Sequence, residues 1–338
     1  MTRRRTLLAA ACCGAVCLLV GACVSVIMPG KSFSGPLPAQ TAQQAALADE
    51  LRRDVVMLAD TIGQRNIGAP DQYRRAADYI EGELTAAGHP VRRASYQVDG
   101  VRCDNLIAEL PGQTRPEEIV ILGAHYDSVQ GTVGANDNAS GVAGLLAIAR
   151  QFKSKRPDRT LRFVAFANEE PPYFHTEQMG SLVYARACRQ RGDNIVAMIA
   201  LDGLGCYHDE PDTQQYPLPV SILYGSRGDF IGFVADLNSS NLLKRVIGTF
   251  RREAKFPSMG IGLPGNVQGA GWSDHWSFWQ CGYPGVMVTD TLPFRYEHYH
   301  TTDDTSDKLD YDRMGRVVEG LEAVMLDLAA EATDGVDR

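Results

Sequence analysis

The sequence predicts an α/β fold: a three-layer sandwich with a mixed, centrally parallel β-sheet flanked by helices. Strand-like and helical segments alternate along most of the chain, which is typical of layered α/β proteins. The run Ile119-Val-Ile-Leu122 is entirely apolar, as expected of a strand that is covered on both faces. No linker interrupts residues 42–338, so we expect them to form a single domain.

Two helices open the predicted domain, and three strands follow them. Apolar residues recur at helical spacing over 42–62 and again over 72–87, after which Gly88 provides a helix stop. The strand-like runs lie at 91–98, 105–110 and 119–122.

The second half of the domain repeats this alternation. Helices are predicted at 139–152, 181–189 and 311–330, and residues 230–256 are expected to be mostly helical. Strands are predicted at 161–167, 195–201, 220–224 and 285–288.

The N-terminal segment has the pattern of an export signal. Three arginines at 3–5 precede a chargeless stretch from Thr6 to Gly30. The sequence Val20-Gly-Ala-Cys23 resembles a bacterial lipobox, in which the cysteine is lipidated and becomes the first mature residue. We therefore expect residues 1–22 to be a lipoprotein-type signal peptide. Residues 23–41 end in a stretch rich in Ser, Gly, Pro and Gln, and they are expected to be a tether.

Two other interpretations of the N-terminal segment stay open. The chargeless stretch is long enough to span a bilayer as an uncleaved anchor helix. The paired arginines also allow a twin-arginine signal. All three interpretations predict that the folded domain lies outside the cytoplasm, and a lipid or an anchor helix would attach it to a membrane.

Composition narrows the partners and the cysteine chemistry. The formal net charge is −8, and no basic run follows the three arginines of the N-terminal segment, so nucleic acid is not an expected partner. The predicted domain lacks a C-x-x-C pair, so a structural zinc knot is not expected. Its cysteines are Cys103, Cys188, Cys206 and Cys281. An oxidising compartment allows disulfides between them, and buried free thiols are the alternative.

Histidine and acidic residues follow the predicted strands, at the edge where open α/β sheets form their sites. They are His125 with Asp127 after 119–122, Asp137 at the start of the next helix, Glu169 and Glu170 after 161–167, Asp202 after 195–201, and His300 after the late strand. Imidazoles together with carboxylates suit zinc. Because such residues recur at successive strand ends, the sequence predicts a metal site.

Each of these residues taken alone has a simpler explanation. Asp137 would more often be a helix N-cap, and adjacent glutamates more often form a solvated surface. A single histidine such as His300 is more often a surface or core residue than a ligand. Their recurrence at five successive places along the chain is improbable as a set of independent events, so the joint pattern favours a metal site.

The order of these motifs resembles that of the M28 family of zinc aminopeptidases. His-x-Asp is followed by Gly-Ala-x-Asp-Asn-x-Ser-Gly, Glu-Glu, Leu-Asp-x-x-Gly, Ser-Asp-His and Tyr-His-Thr-x-x-Asp-Thr, over residues 105–309. The resemblance implies an enzyme that hydrolyses N-terminal peptide bonds, with peptides that carry a free N-terminus as substrates and two zinc ions as cofactors.

The resemblance also implies a role for each residue. Asp137 would bridge the two ions, His125 and Asp202 would complete one site, and Glu170 and His300 the other. Asp127 would orient His125, and Glu169 would be the general base. The residue types fit, since a carboxylate that does not bind the metal can transfer protons beside it. His298 competes with His300 for the ligand role, and the Tyr-His-Thr pattern favours His300.

Two segments bear on the substrate. Residues 171–179 separate the paired glutamates from Gly180-Ser181, whereas Gly-Ser follows closely in the family pattern. The prolines stiffen this loop, and we expect it to roof the substrate pocket. All three tryptophans lie in 271–279, where they either form an apolar pocket wall or pack a helix onto the core.

Other functions stay open from the residues alone. A glutaminyl-cyclase-like acyltransferase shares the fold and the ligand types but would use a single zinc ion. Another metal-dependent amide hydrolase would use the same groups. A metal-binding protein without catalysis is disfavoured, because Glu169 is intact.

Overall fold

The computed structural model describes residues 27–216, 220–222 and 224–330. Its strands are β1 Val91–Val98, β2 Val101–Leu110, β3 Arg115–His125, β4 Arg159–Phe166, β5 Asn194–Leu201, β6 Ile231–Asp236, β7 Ser258–Leu263 and β8 Gly285–Thr289. They form one sheet in the order β1-β2-β4-β3-β5-β8-β6-β7.

The helices are α1 Ala42–Val56, α2 Pro70–Ala86, α3 Gly141–Gln151, α4 Gly180–Arg191, α5 Ser240–Glu253, α6 His275–Gln280 and α7 Tyr311–Ala329. Helix α1 begins with a capping box, in which the Thr41 hydroxyl accepts the Gln44 N–H and the Gln44 side chain accepts the Thr41 N–H. The carboxylate of Asp310 caps α7 by accepting the Arg313 N–H.

The centre of the sheet is parallel and its two flanks are not. Strands β4, β3, β5 and β8 run in one direction. Their carboxyl ends therefore meet at one edge of the sheet, here named the carboxyl edge. Strand β6 is antiparallel to β8, and β7 is parallel to β6, so both end at the opposite edge. The predicted mixed, centrally parallel sheet is confirmed.

Alternate residues of the central strands enter two different cores. Val120 and Leu122 of β3 belong to a large core that includes residues of α1, α2, α3, α5 and α7. Ile119 and Ile121 belong to a smaller core on the other face, with residues of α4 and α6. This period-two division explains why the run from Ile119 to Leu122 is apolar throughout.

The main errors of the sequence prediction fall after residue 215. The strand predicted at 220–224 is wrong, since Val220–Ile222 is a short 3-10 helix. Residues 230–256 are only about half helical, because the unpredicted strand β6 precedes α5. Strand β7 was not predicted at all. Short apolar runs do not distinguish a buried strand from a buried helix, and that ambiguity explains these errors.

The predicted signal segment 1–22 and Cys23 lie outside the described residues. Within the residues that the structure describes, no helix combines the length and apolarity that a bilayer crossing needs. Part of the predicted tether is packed on the domain, since Met28 and Leu37 contact the large core. The domain cysteines Cys103, Cys188, Cys206 and Cys281 are all free thiols.

Candidate metal centre

Seven residues predicted from the sequence converge at the carboxyl edge. They are His125, Asp127, Asp137, Glu169, Glu170, Asp202 and His300, and all except His300 are almost completely buried. His125 is the last residue of β3, and Asp202 directly follows β5. Parallel strands with their carboxyl ends at one edge therefore deliver these side chains to one place.

Two groups of ligand atoms share Asp137. His125, Asp137 and Asp202 form one group, and Asp137, Glu170 and His300 form the other. The Nε2 atom of His125 lies 3.4 Å from Asp137 Oδ1 and 3.5 Å from Asp202 Oδ1. The Nε2 atom of His300 lies 3.0 Å from Asp137 Oδ2 and 3.1 Å from Glu170 Oε2. Asp137 therefore presents one carboxylate oxygen to each group.

These distances fit tetrahedral metal sites. Ligands bound at 2.0–2.2 Å from a tetrahedral ion stand about 3.3–3.6 Å from one another, close to the distances observed. Several atoms also lack a hydrogen-bond partner among the described residues despite being buried: both ring nitrogens of His125, Nε2 of His300, Oε1 of Glu170 and Oδ1 of Asp202. Buried polar atoms without partners are rare, so these residues suit a bound cation.

The electrostatics of the site also suit bound cations. Burial, together with the charge of Asp137, raises the pKa of Glu170 to about 8. Burial also raises the pKa of Asp202. Burial lowers the pKa of His125, but Glu169 and Asp202 outweigh this effect and raise it well above its usual value. Bound cations would stabilise the ionised carboxylates and would replace the protons on the imidazoles.

The loop that carries Asp137 is fixed by side-chain amides. Asn138 donates to the Leu201 carbonyl at 2.8 Å and accepts the Gly203 N–H at 3.2 Å, which joins the loop to the end of β5. Gly134 has φ +54°, and a Cβ atom there would stand 2.2 Å from the Asp137 carbonyl oxygen. Only glycine fits this position, which explains the glycine in the motif.

Asp127 holds the turn after β4. Its two oxygens accept the N–H groups of Glu169 and Glu170, both at 3.0 Å. Its Oδ1 also lies 3.5 Å from Nδ1 of His125. Asn168 precedes the glutamates with φ +52°, a conformation that asparagine tolerates better than most residues. Asp127 therefore positions both glutamates, a contact that the sequence pattern did not reveal, while its orientation of His125 stays a prediction.

Glu169 differs from the other carboxylates because it belongs to neither ligand group. Its Oε2 lies 3.9 Å from Nε2 of His125, at the border of the first group. Burial raises its pKa well above the usual value, and the charges of Glu170 and Asp202 raise it further against the opposing charge of His125. A buried carboxylate with a raised pKa beside a metal site suits proton transfer.

Two buried acids support the loops of the site but belong to neither ligand group. Asp304 accepts the N–H groups of Asn136 at 2.7 Å and Asp137 at 3.1 Å. Asp290 directly follows β8 and accepts from the Asn136 side chain at 2.9 Å and the Cys206 N–H at 2.7 Å. Strand β8 therefore ends in a structural acid, and His300 reaches the site from a later turn.

A fully buried arginine braces the same region. The Arg65 guanidinium donates to the carbonyls of Tyr126 and Gly134, both at 2.8 Å, and to three further carbonyls. Tyr126 lies between His125 and Asp127, so Arg65 supports two ligand-bearing segments at once. Burial lowers its pKa to about 10 against the opposing charges of nearby acids, so it remains a cation at neutral pH. Sequence spacing gives no sign of this role.

The other histidines lie outside both ligand groups. His298 lies 3.7 Å from Glu297, so the structure favours His300 for the ligand role. Nε2 of His275 is hydrogen-bonded to the Ala270 carbonyl at 2.7 Å, and burial lowers its pKa to about 4. His275 is therefore a neutral residue that holds the loop before α6.

An apolar cavity of about 290 Å³ adjoins the ligand groups. Asp137, Glu169, Glu170, Asp202 and His300 lie at its metal side. The remaining wall is largely aromatic and aliphatic, and it includes Phe174, Tyr224, Phe230, Phe233, Met259, Ile261, Trp272 and Phe294. Trp272 stacks on Phe294 with ring centroids 6.1 Å apart. Such a cavity fits a large apolar side chain.

The loop at 171–179 forms one wall of this cavity through Pro171 and Phe174. The His175 ring stacks between Phe174 and Trp276, with centroid distances of 3.9 and 3.8 Å. Its Nε2 is 2.8 Å from the Gly271 carbonyl, next to Trp272. His175 thus joins two loops that border the cavity. Trp279 instead packs on the core and donates to the Gly285 carbonyl at 3.0 Å.

The family model described as peptidase family M28 matches residues 105–325, a range that includes all seven candidate site residues. This chain belongs to peptidase family M28. The resemblance found in the motifs is therefore confirmed, and the chain is a peptidase-type hydrolase. The uncharacterized protein YfbL of Escherichia coli K-12 is 35% identical over 285 residues, which cover 82% of this chain and 87% of YfbL.

Solved structures confirm the fold. BSAP, a zinc aminopeptidase from Bacillus subtilis, matches with a TM-score of 0.69 and 15% identity, over 89% of this chain and 97% of BSAP. The glutaminyl cyclase of Bacteroides thetaiotaomicron matches with a TM-score of 0.61 and 19% identity, over 83% of this chain and 97% of the cyclase. At these identities the likeness establishes the fold alone, which peptidases and cyclases share.

Proposed function

We propose that this M28 protein is a zinc aminopeptidase that removes large apolar residues from the N-terminus of peptides. The observation that carries the proposal is that the two carboxylate oxygens of Asp137 lie in separate ligand groups. Glu169 belongs to neither group. Two metal sites with a shared carboxylate and an adjacent free carboxylate are what a water-activating hydrolase requires.

Zinc is the proposed metal, with two ions per chain. His125, Asp137 and Asp202 would hold one ion, and Asp137, Glu170 and His300 the other. Histidine with carboxylates is an ordinary zinc ligand set, and BSAP is described as a zinc enzyme. The bound ions would lower the pKa of water and polarise the scissile carbonyl.

Glu169 is the proposed general base. Its carboxylate lies within reach of the ligand groups. The backbone that carries it is held by the hydrogen bond from its own N–H to Asp127. From this position Glu169 would take a proton from the attacking water and deliver it to the leaving amine. Its burial favours that exchange, because burial raises the pKa of the Glu169 carboxyl group and so makes the carboxylate a better proton acceptor.

The cavity supports both parts of the proposed specificity. Its apolar wall would take the side chain of the N-terminal residue, and the carboxylates at its metal side would attract the free α-ammonium group. The N-terminal signal pattern adds a location: we propose an exported protein held at a membrane by a lipid on Cys23 or by an anchor helix. The lipobox-like sequence and the preceding arginines support this part.

An arylamide substrate panel with metal analysis on the same sample tests the proposal. The full chain is expected to hydrolyse phenylalanyl- and leucyl-arylamides. Its kcat/KM for the phenylalanyl substrate should be roughly 10- to 100-fold higher than for the alanyl substrate. N-acetylation of the substrate should abolish cleavage. Chelation should remove the activity, and zinc should restore it at two ions per chain.

A different outcome would identify the rival function. One zinc ion per chain, no arylamide cleavage and cyclisation of N-terminal glutamine would indicate a glutaminyl cyclase, whose fold the chain shares. Cleavage of the N-acetylated substrates would instead indicate an amide hydrolase that does not require a free amine.

A further inference from the structure

Residues 28–32 form a strap along α5 and β7, the last strand of the sheet. The Met28 side chain covers Gly260 of β7, where an added Cβ atom would stand 3.0 Å from Met28 Cγ. Arg251 of α5 donates to the carbonyls of Pro29 at 3.1 Å and Gly30 at 3.3 Å. The hydroxyl of Ser32 accepts the Ser258 N–H at 2.8 Å. The strap is therefore held by polar and apolar contacts.

The direction of the strap follows from these contacts. Met28 lies beside Gly260 and Ser32 beside Ser258, so the chain traced backwards moves towards the end of β7. Along α5, Pro29 covers Gly248, which again points towards the start of that helix. Because β6 and β7 run opposite to the central strands, this end of the sheet is the one farther from the carboxyl edge.

Only a short length of chain separates the strap from the proposed anchor. Five residues lead from Cys23 to Met28, and even a fully extended chain of that length spans at most about 18 Å. The eight-stranded sheet is roughly 34 Å wide at the usual strand spacing. A lipid on Cys23, or a membrane helix that ends before the strap, therefore keeps the β7 side of the sheet near the bilayer.

The surface at this end has apolar side chains that suit a membrane interface. Ile27 is 65% exposed and directly precedes the strap. Leu237 is 49% exposed and follows the last residue of β6. Only four large hydrophobic side chains are exposed among the described residues, and these are two of them; Trp272 borders the substrate cavity, and Leu326 lies on α7. Exposed apolar side chains beside an anchor favour contact with the lipid interface.

We infer that the strap fixes the orientation of the anchored domain, with the β7 side and the start of α5 against the bilayer and the carboxyl edge directed away from it. The inference rests on the proposed membrane anchoring. It assigns the membrane surface as the partner of Ile27, Leu237 and the start of α5. The metal centre then faces the aqueous compartment, where soluble peptides reach it without crossing the lipid interface.

Quenching by headgroup-labelled lipids tests this orientation in the full chain. The protein is reconstituted in vesicles that contain a nitroxide headgroup lipid, with a dye attached through an azide-bearing amino acid at position 241 or position 92. Asn241 is exposed at the start of α5, and Arg92 is exposed on β1 at the far side of the sheet. We expect the dye at position 241 to be quenched at least threefold more strongly.

Neighbouring arginines provide matched variants for the strap. Arg251→Ala removes the bonds to Pro29 and Gly30, together with two bonds to Ser258 of β7. It should at least halve the difference in quenching while leaving membrane attachment and arylamide hydrolysis unchanged. Arg252→Ala is the control, since Arg252 contacts Glu253 and Thr249 but not the strap. Arg252→Ala should preserve the difference in quenching between positions 241 and 92.

The outcomes separate the two proposals. Equal quenching at both positions in attached protein overturns the orientation and leaves the proposed peptidase activity intact. An unchanged difference in Arg251→Ala shows that the strap does not set the orientation. Recovery of an active full chain only in the soluble fraction overturns the anchoring and the orientation together, again without affecting the proposed chemistry.

Discussion

The carboxyl edge and the β6–α5–β7 unit (residues 231–263) are stabilised by different physical means. At the carboxyl edge, buried carboxylates, amides and one guanidinium hold the ligand-bearing loops through many short hydrogen bonds. The β6–α5–β7 unit is held mainly by apolar packing, as in the contact of Phe233 with Phe250 at 5.1 Å between ring centroids. Directional bonds fix atoms to within fractions of an ångström, whereas apolar packing fixes a volume.

This difference matches what each region contributes. The carboxyl edge has to place ligand atoms and a base at defined distances, since small displacements are expensive in catalysis. The β6–α5–β7 unit provides a wall for a side chain, for which shape and apolarity suffice. Changes at the carboxyl edge should therefore act on turnover and stability, while changes around the cavity should act on selectivity.

The largest expected effect is on turnover in Glu169→Gln. The amide keeps the shape of the side chain but cannot accept a proton, so kcat should fall by roughly 10²- to 10⁴-fold. Zinc content should not change, because Glu169 lies outside both ligand groups. Steady-state kinetics and metal analysis on the same preparation measure both quantities.

Glu177→Gln is the matched control for this substitution. Glu177 is an exposed glutamate of the nearby loop, and its contact is with Arg186. Its kcat should equal that of the unmodified protein. A Glu169→Gln enzyme with full turnover would show that another group is the base, and one without zinc would show that Glu169 is a ligand.

The second-largest expected effect is on the free energy of unfolding, in Arg65→Met, and it tests the difference between the two regions most directly. Arg65→Met should lower the free energy of unfolding by about 3 kcal/mol, because it leaves several buried carbonyls without donors. Zinc affinity should fall as well, since the segments of His125 and Asp137 lose a common brace. Urea unfolding, with and without zinc, measures both changes.

Arg74→Met is the control for Arg65. Arg74 is exposed on α2, and its ion pair is with the exposed Asp71. Exposed pairs contribute about 1 kcal/mol or less, so Arg74→Met should be nearly neutral. Equal stability of the two variants would contradict the view that buried hydrogen bonds hold the carboxyl edge.

The same contrast explains which parts of the molecule could be predicted from the sequence. Asp137, Glu170 and Asp202 were identifiable because acidic residues and histidines recur at successive predicted strand ends, although each residue taken alone has a simpler explanation. Strands β6 and β7 were missed because their apolar residues suit a buried strand and a buried helix equally. Both strands carry few polar residues that would decide between the two.

Contacts between distant segments were beyond prediction for another reason. Arg65 binds carbonyls of residues 126 and 134, and backbone acceptors carry no residue-specific signal in a sequence. Asp290 occupies the end of β8, whereas the sequence pattern suggested that His300 would follow that strand closely. Only the tertiary structure shows that His300 comes from a later turn.

The smallest expected effect is on selectivity, in His175→Ala. His175 stacks between Phe174 and Trp276 and contacts the Gly271 carbonyl, so its loss should loosen two borders of the cavity. A stacked aromatic pair contributes about 0.5–1.5 kcal/mol, so the preference for phenylalanyl over alanyl arylamides should fall by roughly threefold to tenfold. The kcat for alanyl-arylamide should change little, because its side chain does not reach the wall.

His175→Phe distinguishes the stacking from the hydrogen bond. It keeps an aromatic ring between Phe174 and Trp276 but removes the contact with Gly271, so recovery of the phenylalanyl preference would assign the effect to stacking. A loss of turnover on every substrate in His175→Ala would instead mean that the loop also positions Glu169 and Glu170, which begin the same segment. The cavity wall and the carboxyl edge would then be structurally coupled, so that a change in one region alters both selectivity and turnover.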